Sequence, residues 1–323
     1  AFVTLDGSED LVATLSLTPR NPSDLQDFTL HWRAVIGAVP DHFVLVMLRR
    51  DSASKLGDEP DVIGTLRASR TALPIQRGAA RRWMPFANAV SLGAGHILGG
   101  LDHLAFLLAL LLPLPLMARG GRWREARGAR LTIRSAAILI SGFTLGHSAT
   151  LIAASLGGLT LPGKLVETLI SVSVLIAAIH AIRPIFPRRE ALFATLFGLV
   201  HGLGFAGFLS DTDLSVARNI VTLIGFNIGI ELVQIAIALA IVPALVTIAA
   251  TPAYQWLRSG SALFCSAIAA IWVADRYVGL DENFVAPFEA VVETSMMLVF
   301  FAVLTTGLVL IARRTLAQRP RTV

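Results

Sequence analysis

One cysteine, Cys265, stands in the whole chain of 323 residues, which excludes an intrachain disulfide framework and any multi-cysteine metal site. It falls inside an apolar stretch, where packing accounts for it. Charge is scarce as well: 15% of residues are Asp, Glu, Lys or Arg, against about a quarter in soluble domains. With 54% hydrophobic residues, that deficit excludes an ordinary soluble protein and leaves a polytopic one embedded in a lipid bilayer. The net charge of +5 does not point to nucleic acid, because the arginines sit beside apolar runs and not in a basic domain. A phosphate-binding loop is lacking too, so ATP drive is not expected within this chain. The chain begins with Ala1 and not methionine, which fits removal of a signal peptide at a small residue, or else a trimmed chain.

The polar part that remains is N-terminal. Phe2-Val3-Thr4-Leu5, the run from Leu11 to Leu17, and Phe28-Thr29-Leu30-His31-Trp32 alternate at period two, and the run from His42 to Leu48 is short and rich in β-formers. Turn residues separate them, so residues 1–70 are expected to form a small extracytoplasmic β domain, a sandwich of about five or six strands. His31 and His42 read as strand or surface histidines. Residues 71–88 read as a linker in which Arg77, Arg81, Arg82 and Trp83 suit the lipid headgroup region.

Residues 89–314 then read as a transmembrane helical bundle and 315–323 as a tail. Windows at 89–112, 133–157, 164–184, 190–210, 217–247, 256–275 and 287–312 are long and apolar enough to cross about 30 Å of hydrocarbon, or nearly so. Arg119, Arg122, Arg124, Arg127, Arg130 and Arg134 crowd the first loop. Arg183, Arg188 and Arg189 occupy the third, and Arg313, Arg314, Arg319 and Arg321 the C-terminal end. The opposite loops carry Asp211, Asp213, Asp281 and Glu282. The positive-inside rule makes the arginine side cytoplasmic. Seven spans place the N-terminal domain outside a bacterial-type inner membrane.

Ionisable groups within lipid are expensive to keep, and several occur here. The stretch from Gly93 to Phe106 holds His96, Asp102 and His103. On an ideal helix the two histidines lie seven residues, roughly 10 Å, apart along the axis, too far to share one ion. Gly93, Gly95, Gly99 and Gly100 permit a break that brings them together. His147, His201 and Glu231 fall at similar depth on the second, fourth and fifth spans. Asn227 and Gln234 flank Glu231 by one and two turns and are expected to orient it, and Ser148 stands beside His147. Glu167 and His180, near the ends of the third span, are read as interfacial; Glu289 and Glu293 open the seventh.

The His-x5-Asp-His pattern of His96, Asp102 and His103, with Gly100 before the second histidine and Phe106 after it, resembles the signature of the HupE/UreJ family of nickel-permease-like membrane proteins, in its branch with an N-terminal extracytoplasmic extension. Phe143 to His147 to Leu151, Phe197 to His201 to Ala206, and Phe226-Asn227 to Glu231 to Gln234 are similar to its further motifs. The resemblance implies transition-metal uptake with these histidines and carboxylates as ligands. Members associated with hydrogenase and urease carry an additional histidine where this chain has Gly198 and Leu199.

Imidazole and carboxylate without thiolate suit nickel, cobalt, zinc, iron or copper as divalent ions. A permease coordinating the ion through His96, His103, His147 and His201, with Asp102 and Glu231 offsetting its charge, is one reading. An intramembrane zinc hydrolase with three histidines and a carboxylate base is a second. A membrane scaffold or accessory subunit, docking a membrane or periplasmic protein partner around a structural metal, is a third.

Overall fold

Period-two alternation at one end of the chain and long apolar runs after it divide it into two units, Ala1–Met84 and Pro85–Val323. The structure, a computed structural model, describes residues 2–5, 11–14, 27–32, 44–48, 61–66, 71–76, 84–157, 161–211, 220–280 and 282–317.

In the first unit, β1 (Phe2–Leu5) pairs with β2 (Leu11–Thr14), β3 (Asp27–His31) with β6 (Ala72–Gln76), and β4 (Val44–Leu48) with β5 (Asp61–Leu66). All three pairs are antiparallel. Among the described residues these are separate two-stranded sheets, not the continuous sheets of a sandwich. Val46, Leu66, Leu73 and Ile75 form the core, with Leu30 and Trp32 against it. Strand structure continues past residue 70 into the segment that the sequence assigns to a linker. The reason is alternation: Leu73 and Ile75 point inward, and Leu73 stands opposite Leu30. His31 is exposed, as a surface strand histidine should be. His42, Arg77, Arg81, Arg82, Trp83, Asp213, Asp281, Arg319 and Arg321 lie outside the described residues.

In the second unit the first expected span is two helices, α1 (Met84–Gly99) and α2 (Leu101–Leu111). A hairpin of β7 (Leu116–Arg119) and β8 (Arg122–Ala126) occupies what the sequence left as loop, and α3 (Ala129–Gly157), α4 (Gly163–Ile182), α5 (Glu190–Asp211), α6 (Ile220–Ile248), α7 (Ala253–Val278) and α8 (Glu282–Ala317) follow. Five of these helices are long and apolar enough to cross a membrane, or six if the bent pair of α1 and α2 counts as one span. A further apolar helix, Glu190–Gly204 within α5, is shorter.

The centre of the unit is α2. Ala105 to Leu112 are each no more than 2% exposed, so this helix is apolar on every side because protein surrounds it. The outward faces are apolar too: Leu145, Leu239, Leu263 and Phe301 are each more than 60% exposed. Such a surface suits hydrocarbon, not water. Helix α3 meets α5 along facing small residues. A Cβ at Gly146 would fall on the Thr195 carbonyl oxygen, and one at Gly198 on that of Phe143. This close approach sets His147 and His201, on neighbouring helices, within reach of one interior site.

Candidate metal centre

At Gly100 the chain turns by 73° between α1 and α2. Its backbone is extended (φ −92°, ψ 103°), a conformation open to any residue, so glycine is needed there for space. A Cβ would lie 2.5 Å from His103 Nδ1, 2.9 Å from Asp102 Oδ1 and 3.1 Å from the His96 carbonyl oxygen. The break brings the His96 and His103 ring centroids to 4.6 Å. His147 from α3 stands 6.2 Å from His96, and His201 from α5 stands 5.1 Å from His103. Neighbouring ring contacts thus link the four imidazoles in the order His147, His96, His103, His201. Phe106, Phe143 and Phe226 pack their rings against them.

Three of these histidines share one arrangement, which follows from their partners. Asp102 Oδ1 accepts from the His103 backbone N–H and from His103 Nδ1, each at 2.9 Å. A carboxylate has no proton to give, so Nδ1 carries the hydrogen and Nε2 holds the lone pair. Ser173 Oγ donates to the Ile170 carbonyl at 2.6 Å and stands 2.9 Å from His201 Nε2. Its single proton is thus engaged, His201 Nε2 is the donor, and Nδ1 holds the lone pair. Asn227 Nδ2 donates to the Leu223 carbonyl at 2.9 Å, and its Oδ1 faces His147 Nδ1 at 3.3 Å. The lone pair of His147 is therefore on Nε2.

His103 Nε2, His147 Nε2 and His201 Nδ1 are all buried and have no hydrogen-bond partner among the described residues. Buried polar atoms are rarely left so, and each unmatched one calls for a reason. One nitrogen held as a donor while the other is bare is the arrangement of a metal-ligating histidine. Ligand-capable atoms of Asp102, His103 and His201 lie within 4.8 Å of one another. Asp102 sits in the first turn of α2, where its charge is favoured by the helix N-terminus and would also offset that of a cation.

The break thus gathers His96, Asp102, His103, His147 and His201. Glu231 makes a different contact. It accepts from Ser141 Oγ at 3.1 Å, on the part of α3 nearly two turns before His147. Among the described residues Asn227 and Gln234 bond elsewhere and not to it: Asn227 holds His147, and Gln234 Oε1 accepts from Thr144 at 3.4 Å. Similar depth made Glu231 look like a partner of the histidines, but the three residues share one helical face at different heights. Ser148 makes no side-chain hydrogen bond among the described residues. Ser173 was not anticipated; its only signal is a hydroxyl on an apolar helix.

His180, read as interfacial, is fully buried. Its Nδ1 accepts from the backbone N–H groups of Ile185 and Phe186 at 3.1 and 3.3 Å, and its ring stacks on Phe186 at 3.8 Å. It therefore shapes the chain after α4. Glu167 is exposed, as expected, and pairs with Arg276 at 3.3 Å. Residues 72–276 match the family model described as HupE / UreJ protein. No curated protein and no solved structure matches the chain.

Proposed function

The chain belongs to the HupE/UreJ family, and from that membership together with the convergent imidazoles we propose that it is a permease for a divalent transition-metal ion of the nickel or cobalt kind. The observation that carries the reading is the set of three buried ring nitrogens without partners, each on a histidine whose other nitrogen is held by an acceptor. The ion is the cargo. His103, His147 and His201 bind it in turn or together, with His96 between His147 and His103 in the order of ring contacts. Asp102 fixes His103 and offsets the positive charge.

A zinc hydrolase has less support, because Asp102, a candidate base, already accepts two bonds from His103. Glu231 and Ser141 meet on the α3–α6 seam, displaced from Asn227 and His147 toward the arginine-rich end of each helix, and we assign Glu231 to the exit step. In this arrangement seven spans cross a bacterial-type inner membrane, with the β unit outside and the C-terminus inside. The close contact at Gly198 leaves no space for the extra histidine of hydrogenase- and urease-associated members, so the donor set by itself favours no single ion among nickel, cobalt, zinc, iron and copper.

The test is metal content and competition titration on purified full-length protein, with His103→Ala, His147→Ala and His201→Ala beside the wild type, followed by uptake into vesicles. Stoichiometric, exchangeable metal lost in the variants, with uptake lost in parallel, is the expected result. Metal that does not exchange would point to a fixed centre. Absence of binding by folded wild type would refute the permease.

A further inference from the structure

At the arginine-rich end of the helical unit, away from the histidines, a cavity of about 650 Å³ lies between the β7–β8 hairpin, the end of α4 and the turn from α6 into α7. That volume is in the range of small-molecule sites, about 300–1,000 Å³. Among the described residues its walls include Arg122, Arg124, Arg183 and Arg258, and no acidic residue. None of the four makes an ion pair among the described residues. The first turn of α7, at Tyr254 and Gln255, also lines it, so the positive end of a helix dipole adds to four guanidinium charges.

The positive-inside rule explains why Arg122, Arg124 and Arg183 lie in connections, and those three are exposed. It does not explain Arg258. That residue is on α7, only 7% exposed, and its Nη1 donates to the carbonyls of Ala181 and, at 3.1 Å, Ile182. Closing the end of α4 uses this one nitrogen, whereas Nε is buried with no partner among the described residues. The hairpin wall is held in place: Trp123 Nε1 donates to the His180 carbonyl at 2.9 Å, and Arg127 Nε donates to that of Leu114. Gly120 and Gly121, both at positive φ, make the two-residue turn that sets Arg122 back over the cavity.

We propose that this cavity is a binding site for a phosphate-bearing anion, separate from the metal path. Guanidinium groups match phosphate oxygens in bidentate geometry, and a desolvated arginine beside exposed ones is the arrangement that such recognition needs. Basic pockets between membrane helices take lipid headgroups through the same contacts by which they would take a soluble phosphate ester.

The experiment uses the full-length protein in detergent. Phosphatidylglycerol, with phosphatidylcholine as control, is counted by native mass spectrometry, and ATP and inorganic phosphate are titrated by equilibrium dialysis. The same is done for Arg122→Gln/Arg183→Gln, whose exposed positions leave the fold intact, and for Arg258→Lys, which keeps the charge but loses the planar fork. One saturable site per chain is expected, weakened roughly tenfold or more in the double variant and also in the lysine variant. Binding of phosphatidylglycerol alone makes the source a headgroup; binding of ATP or phosphate alone makes it soluble. Equal binding of every probe by wild type and the double variant, or no saturable binding of any, overturns the proposal. Metal binding at the histidines is measured on the same samples and is expected to be unchanged.

Discussion

Replacing Gly100 with alanine tests whether the break in the first span is what organises the metal centre. Because φ −92° and ψ 103° are accessible to alanine, the substitution adds no backbone strain, and its whole effect is steric. The new Cβ would stand 2.5 Å from His103 Nδ1 and 2.9 Å from Asp102 Oδ1, where ordinary contact begins at 3.4 Å. The imidazole must therefore retreat by close to an ångström, and the 2.9 Å bond that fixes its tautomer cannot be kept as it is. A hydrogen bond to a charged group is worth about 1.5–3 kcal/mol. Loss of such an outer partner weakens metal binding roughly 10- to 100-fold, or about 1.4–2.7 kcal/mol. Competition against a chromogenic chelator with Ni²⁺ or Zn²⁺, on folded protein in detergent, reads this directly. Gly260→Ala is the control, since nothing lies within 4 Å of its added Cβ, and it should bind as wild type does. If Gly100→Ala also binds within a factor of about two of wild type, the break does not position His103 for metal and the site has been assigned wrongly.

Ser173→Ala removes the acceptor for His201 Nε2; metal affinity should drop roughly 10- to 100-fold while threonine, which keeps the hydroxyl, restores most of it. Unchanged affinity in the alanine variant would mean that His201 is not a ligand. Glu231→Gln should slow uptake into vesicles and leave equilibrium affinity at the histidines within about twofold, because Glu231 bonds to Ser141 outside the cluster. An affinity loss as large as that of His103→Ala would return Glu231 to the ligand set. For pH the sign is fixed by the lone pairs: a protonated imidazole cannot bind metal, so apparent affinity should weaken and never strengthen as pH falls. Affinity that rises on acidification of the folded protein would exclude imidazole ligation.

The helices were legible because a membrane span needs a long apolar run and nothing else satisfies its backbone there. The break at Gly100 was legible for a related reason: His96 and His103 cannot meet on a straight helix, and glycines supply the place to bend. What distance along a chain cannot give is azimuth. Glu231, one turn from Asn227, has the depth of a ligand, yet height on α6 does not say whether it meets a histidine or Ser141 on α3. Ser173 was hidden differently. A serine in an apolar helix ordinarily bonds its own backbone, as Ser171 does to the Glu167 carbonyl, and Ser173 does the same to Ile170. Only the arrival of His201 from α5 turns that local bond into one that decides which imidazole nitrogen is bare. The ligands are thus written as residue types that lipid makes conspicuous. The groups that orient them are ordinary residues, and their role exists only across a helix interface, which is why alanine at Ser173 is a sharper test of the centre than alanine at any histidine.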